Sequence, residues 1–410
     1  MPLLSVAEAL ELILARVGET QVERVPAAEA VGCRLAEDVA SDLDSPPYDK
    51  STVDGYAVRG DDAAVGRRAL TIVEQIAAGE MPRHTLAPGQ AARIMTGAPL
   101  PEGADAVVMV EHTAAGGWTD GQMVQLTDRP VRTGQNILRR AQSMARGQVV
   151  LSADRVLRPI EIGLLSEVGV TQVAVRRRPR VALLATGDEL VTAHERPRGA
   201  QIRNSNGPML HALATAAGAA AVELGIARDE EGDLRRHIER ALADDVLVLS
   251  GGVSAGLLDL VPKLLEQQGF EQVFHKVHLR PGKPLWFGVR RVAGRTTLAF
   301  GLPGNPVSGL VCWELFVKPA LLKMRLGAAP PAAEISAKLI ASHEHRGDRP
   351  TYWPACVERP ASGDAPSRVR LLPWQGSGDL RTFSDANGLA LFPAGDRRFE
   401  AGEAVRVREL

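Results

Sequence analysis

The sequence predicts a multidomain chain of α/β plus β type, with a central doubly wound α/β domain, a β-rich insert, a discontinuous helical domain and a small C-terminal β domain. Three observations carry this. From residue 181 onward short apolar runs alternate with longer helical patterns, the signature of a sheet covered on both faces. From about residue 45 to 140 the apolar runs are short and broken by glycine and proline, which reads as strands and turns. On either side of that stretch, residues 3–17 and 155–168 carry apolar residues at helical spacing, with acids and arginines between them.

Taken in order, the flanking helical pieces (1–44 and 144–177) form one discontinuous domain from which the insert (45–143) projects. The insert's runs are 70–76, 104–110 and 122–126. The stretch VRRRPR ends that pattern at residue 180, and the α/β domain (178–327) begins. Its strands are expected at 181–185, 220–226, 246–249, 273–279, 285–289 and 296–300, with helices at 208–217, 230–243, 257–268 and 307–323. A Pro/Ala linker after residue 327 leads to strands at 335–340, 369–372 and 404–407, the final domain (328–410).

The chain has 410 residues, 45% of them apolar, which permits a sizeable core. A formal charge of −1 gives no global attraction to nucleic acid or membrane, so any anion site is local. Ser5 and Glu8 make a capping box, and Glu8 and Glu11 interrupt what a signal peptide would need as its apolar region. No run approaches the ~18 uncharged apolar residues of a membrane span. Cys33, Cys312 and Cys356 are far apart and odd in number. They fit free thiols of a reducing cytoplasmic compartment, with no zinc site.

Ligands of open α/β sheets bind beyond the carboxyl ends of the strands. Five polar, glycine-rich loops follow expected strands here: Thr186-Gly187-Asp188-Glu189, Ala227-Arg228-Asp229-Glu230, SGGVSAG (250–256), Arg280-Pro281-Gly282-Lys283-Pro284 and GLPGNPVSG (301–309). In the last, Gly304 permits a tight turn, Asn305 suits a helix N-cap and Pro306 the first helical position. A helix start there, like the 250–256 loop, offers backbone N–H groups to phosphate oxygens. Lys276, Arg280 and Lys283 add cations. An extended segment would put Lys276 and Arg280 on one face, with Lys283 beyond a Pro-Gly turn. Asp188, Glu189, Asp229 and Asp259 supply hard oxygens that suit Mg²⁺ beside phosphate. Asp188 or Glu189 could instead cap the following segment, and Asp259 sits in a helical pattern where a surface acid is the alternative.

Together these motifs resemble the molybdopterin molybdenumtransferases, the molybdenum insertase family that includes bacterial MoeA proteins and the gephyrin E-domain. The resemblance runs through DKSTVDGYAV (49–58), MTGAPLPEGADAVV (95–108), GQNI (134–137), TGDEL (186–190), NSN (204–206), the three loops at 250–256, 280–284 and 301–308, and QGSGDL (375–380). It implies a MogA-like molybdopterin-binding α/β domain and a small C-terminal β-barrel. It also implies a homodimer whose active clefts lie between those two domains of one subunit and the insert of the other. The implied reaction transfers molybdate onto adenylylated molybdopterin, with Mg²⁺-assisted release of AMP.

By this resemblance Arg280, Lys283, Arg349 and Ser377 hold molybdate, and Pro284 shapes its pocket. Glu189, Asp229 and Asp259 bind Mg²⁺ or position the attacking water. Asp54 and Thr96 reach in from the neighbouring subunit's insert. Thr186, Gly187, Asn204, Ser205, Asn206, Ser250, Gly251, Gly252, Ser254, Lys276, Pro303, Gly304, Asn305 and Pro306 fall to molybdopterin and its nucleotide. Arg280 stands where the family often has lysine, which keeps the charge but changes its shape. After GQNI the family usually continues with arginine and then Gly-Glu-Asp. Here the stretch ends Ala141-Gln142-Ser143, without either acid. The enzyme is therefore one reading, and a catalytically altered molybdopterin-binding paralogue or scaffold the alternative. A nucleotide-dependent transferase of the adenylylation step is a third, against which the insert and the C-terminal domain argue.

Overall fold

The computed structural model describes residues 3–64, 68–114, 120–252, 260–360 and 366–410. The chain forms two compact units, one of residues 1–25, 32–36 and 174–410, the other of residues 26–31 and 37–173.

In the first unit the α/β alternation appears as expected: β1 (Arg180–Thr186), α1 (Asn206–Ala216), β2 (Ala220–Ala227), α2 (Glu231–Ala241), β3 (Val246–Ser250), α3 (Leu260–Gln267), β4 (Glu271–His275), β5 (Trp286–Val292) and β6 (Arg295–Leu302). The sheet order is 2-1-3-6-5-4. Strands β2, β1, β3 and β6 run parallel, and β5 is antiparallel to both neighbours. The central strands are buried on both faces, so they read as unbroken apolar runs. Val181, Leu183, Val246, Val248 and Phe300 pack with α1 in one layer. Ala182, Leu184, Leu247 and Leu249 pack with α2 and α3 in the other.

The N-terminal helix, Val6–Leu14, is shorter than its apolar spacing suggests. It starts at a complete Ser5/Glu8 capping box and buries Ala9 and Ile13 in the first layer. The helix expected over 307–323 is interrupted. Pro306–Cys312 gives way to a π-helical turn, Trp313–Val317, before Lys318–Leu326. Pro319 has no N–H to close an α-type bond, and all five residues of the π turn are buried, which regular α spacing would not keep on one side. The strand expected over 273–279 stops at His275, because Lys276 turns into the left-handed region at φ 76°. Lys276 and Arg280 therefore do not share an extended face. The chain ends in a closed five-stranded barrel of Glu334–Leu339, Arg368–Leu371, Thr351–Glu358, Gly388–Phe392 and Ala404–Glu409. Val357, Val369, Phe392, Phe399 and Val407 fill it.

The second unit is built on a six-stranded sheet ordered Ala106–Met109, Gly55–Val58, Gln90–Ile94, Ala69–Ile76, Met123–Leu126, Thr113–Ala114. Its helix Pro159–Glu167 begins at Arg158, where Glu161 accepts from the Arg158 amide and from the Arg155 and Arg158 guanidiniums. Those bonds hold the buried Glu161 carboxyl well below the usual carboxylate range, hydrogen bonding from Arg158 being the largest cause.

Candidate active site

Parallel strands put their carboxyl ends on one edge, and the loops after β1, β2, β3 and β6 meet there. With the turn before β5 they enclose a cleft of ≈ 430 Å³. Thr186, Gly187 and Glu189 come from the first loop and Asp229 from the second. Ser250, Gly251 and Gly252 come from the third, Pro303, Gly304 and Asn305 from the fourth, and Pro284 from the turn. Asn206 at the start of α1 completes the floor. Leu190 and Ile202, which sequence reasoning missed, add an apolar wall. The signal for Ile202 was a lone isoleucine in a polar loop, and it is 55% exposed.

The floor is made of backbone in close approach. A Cβ on Gly251 would lie 2.5 Å from the Thr186 carbonyl oxygen, and one on Gly252 2.9 Å from Thr186 Oγ1. Both glycines have left-handed φ, 97° and 64°. Thr186 Oγ1 and Asn206 Oδ1 are buried and find no hydrogen-bond partner among the described residues. Buried polar atoms of this kind await a ligand or water.

Several polar residues around the cleft hold its loops together. Asp188 accepts from the Asp229 amide at 3.2 Å and Gly187 donates to the Ala227 carbonyl at 3.2 Å, tying the first two loops to each other. Asn204 accepts from the Gly207 amide at 3.0 Å and so caps α1, while Ser205 makes no side-chain cap. Asn206 donates to the Gly304 carbonyl at 2.7 Å. Glu189 and Asp229 bring exposed carboxylates to the rim.

The turn at 301–309 departs from its sequence reading in one respect. Asn305 occupies the N-cap position and Pro306 the first helical position, but Asn305 makes no capping bond. Its Nδ2 donates instead to Ser377 Oγ at 2.8 Å, and the Val307 amide donates to the Ser377 carbonyl at 3.1 Å. The helix start is therefore partly filled by the QGSGDL loop instead of standing bare.

The barrel grips the cationic loop. Arg280 N donates to the Pro350 carbonyl at 2.9 Å, and the Tyr352 amide donates to the Arg280 carbonyl at 2.9 Å. Arg349 Nη1 donates to the Leu279 carbonyl at 3.2 Å, and Arg280 Nη1 to the Arg346 carbonyl at 3.4 Å. Arg349 is thus brought beside Arg280. Arg280 and Lys283 are exposed, and Arg280, Lys283 and Lys276 do not line the cleft itself. Asp54 and Thr96 belong to the second unit. Thr96 Oγ1 and its amide both donate to Asp54 Oδ1 at 2.7 Å, which lowers the Asp54 pKa. Ser254 and Asp259 lie outside the described residues.

Known proteins match along the whole of this architecture. Residues 4–169 match the MoeA N-terminal region (domain I and II), residues 182–323 the probable molybdopterin binding domain, and residues 336–410 the MoeA C-terminal region (domain IV). A molybdopterin molybdenumtransferase of Bacillus subtilis is 35% identical over 396 residues, covering 95% of this chain and 90% of the relative. The chain belongs to the MoeA family. A second relative of the same name, from Nostoc, is 36% identical, with 93% and 87% covered. The crystal structure of a molybdopterin biosynthesis MoeA protein from Pyrococcus horikoshii superposes with a TM-score of 0.82 at 32% identity, covering 100% of this chain and 99% of that one. The MoeA fold thus accounts for the α/β domain, the small barrel and the β-rich insert alike.

Proposed function

We propose that this chain is a molybdenum insertase, which transfers molybdate onto adenylylated molybdopterin with release of AMP. Membership of the MoeA family makes it a transferase of molybdenum cofactor biosynthesis. The observation that best supports the finer reading is the cleft of glycine loops with two buried polar atoms that find no partner among the described residues, rimmed by Glu189 and Asp229.

Loop backbone at Gly251, Gly252 and Gly304 would approach the phosphates, while Thr186 Oγ1 and Asn206 Oδ1 take polar edges of the substrate. Leu190 and Ile202 give its flat pterin a surface to lie on. Arg280, Lys283, Arg349 and Ser377 would hold the doubly charged molybdate, each charge-assisted bond contributing roughly 1.5–3 kcal/mol. Glu189 and Asp229 are hard oxygen donors on one cleft, so they fit Mg²⁺. Among the described residues no three His, Cys, Asp or Glu side chains gather into a metal-holding group, and Mg²⁺ is commonly bound by one or two carboxylates with substrate oxygens and water completing its shell. When bound it polarises phosphoryl oxygens. The working form would be a cytoplasmic homodimer in which Asp54 and Thr96 serve the neighbouring subunit's cleft. No helix in the described residues is long and apolar enough to cross a membrane.

The test is purified protein with adenylylated molybdopterin, Mg²⁺ and molybdate. AMP release coupled to active cofactor is expected. Tight pterin binding without AMP release would support the scaffold reading instead. That reading rests on Ser143, an exposed hydroxyl where the resemblance leads one to expect an aspartate.

A further inference from the structure

Asn305 is the residue whose position and contacts disagree. It stands where a side chain normally caps the helix, yet its amide turns away to Ser377 Oγ at 2.8 Å. An amide nitrogen carries only protons to give, so the serine oxygen must accept. Ser377 has a single hydroxyl hydrogen, which is then left to point elsewhere. The residue has little freedom to do otherwise. Its carbonyl is held by the Val307 amide, and Asp379 ties the loop by accepting from the Gln375 and Thr382 amides at 3.1 and 3.0 Å. Trp374 Nε1 also donates to the Gly376 carbonyl.

We propose that Asn305 is a specificity-determining positioning residue: by donating to Ser377 Oγ it makes the Ser377 hydroxyl a donor toward the bound oxyanion. The proposal rests on the insertase reading and adds the polarity of the site to it. Arg280, Lys283 and Arg349 are donors only, and with Ser377 fixed the same way the anion meets no acceptor among these four groups. Such a cradle favours oxyanions with no proton, such as molybdate, over hydrogen phosphate, whose hydroxyl needs an acceptor. Releasing Ser377 from Asn305 would let its oxygen serve that hydroxyl.

The experiment is a set of calorimetric titrations of the full chain with sodium molybdate and, in parallel, inorganic phosphate. Thermal melts verify that each variant is folded. Ser377→Ala is expected to weaken molybdate roughly tenfold or more, the loss of one hydrogen bond to a charged group. Asn305→Ala is expected to weaken it about three- to fivefold and to narrow the preference over phosphate. Asn305 acts through Ser377, so the double variant should bind as Ser377→Ala alone does. Asn305→Asp, which can only accept from Ser377, should cost more in the otherwise wild-type chain than in one that already carries Ser377→Ala; the comparison cancels the effect of its charge. Losses that simply multiply, or an Asn305→Asp penalty equal with and without Ser377→Ala, would overturn the proposal while leaving the insertase reading intact. A wild-type chain that binds no molybdate would remove the insertase reading and this inference with it.

Discussion

Replacing Gly251 by alanine perturbs the cleft at the point where two strand ends touch. The backbone sits at φ 97°, which costs a residue with a Cβ about 1–3 kcal/mol. The added methyl would also lie 2.5 Å from the Thr186 carbonyl oxygen. That oxygen belongs to the last residue of β1, which pairs with β2 and β3, so no side-chain rotation relieves the overlap. Overpacking of this kind contributes a further ~1–3 kcal/mol. Together these give a central value of about 4 kcal/mol, which lowers the melting temperature by roughly 8–16 °C, at about 2–4 °C per kcal/mol for a large domain. Gly304→Ala is the control, since its Cβ would meet only the Gly251 Cα at an ordinary 3.6 Å. It should stay within about 0.5 kcal/mol of wild type. Intrinsic fluorescence of the buried Trp286 and Trp313 reports the transition. A Gly251→Ala protein that melts within two or so degrees of wild type, or a Gly304→Ala protein that falls as far, would refute the close-packed floor.

Other positions give independent tests. Ala141 sits at φ 59°, so Ala141→Gly should raise stability by about 1 kcal/mol; an unchanged urea midpoint would count against that conformation. Glu161 has a lowered folded pKa, so its contribution is complete above the unfolded value near 4.3 and disappears as pH falls below it. Melting temperatures of wild type and Glu161→Gln should therefore converge toward acid pH, and a constant gap would exclude the effect. Ile202→Ser should weaken pterin binding about fivefold with little change in molybdate dependence, from roughly 1 kcal/mol of apolar contact. Lys283→Ala should do the reverse. Equal losses of both ligands in either variant would withdraw that residue's assignment.

The parts of the fold that were legible are those whose pattern is local. The strands VALLAT and VLVLS carry no polar residue before their last positions, Thr186 and Ser250, so their burial on two faces could be read directly. Strands Gly55–Val58 and Gln90–Ile94 were missed, because Gly55 and the alanines of QAARI carry little strand preference and gain it only from pairing with each other. Barrel closure, a matter of which distant strands meet, was not legible in the local pattern and was expected only from the family resemblance. At the site, the loops after the strands announced themselves by glycine, proline and acid content. The contacts of Asn305, Arg349 and Ile202 did not, since each depends on a segment tens of residues away in sequence. Lys276 shows the converse error, a period-two pattern overridden by one left-handed residue.

A chain whose 48 basic residues are balanced by 49 acids holds a dianion best where the local cations are not all spent on nearby acids. Two local acids are committed to other donors, whereas Arg349 Nε does pair with the exposed Asp348 at 3.3 Å. Asp379 is held below its ordinary pKa first by a hydrogen bond from the Thr382 side chain and then by the Thr382 and Gln375 amides, and Asp188 accepts from the Asp229 amide. The cationic loop is meanwhile held by its main chain. Arg280 is gripped through its N–H and carbonyl by Pro350 and Tyr352, so its position does not depend on an ion pair that a substrate would have to break. Glu189 and Asp229 bring their carboxylates to the rim of the cleft, where a divalent cation beside phosphate would neutralise them. Positioning by backbone and charge by side chain are thus separated. The arrangement requires that Tyr352→Pro, which deletes the N–H that binds the Arg280 carbonyl, weaken molybdate binding while leaving the charge of the site unchanged. If molybdate affinity survived that substitution in a folded protein, the barrel's grip would have no part in forming the site.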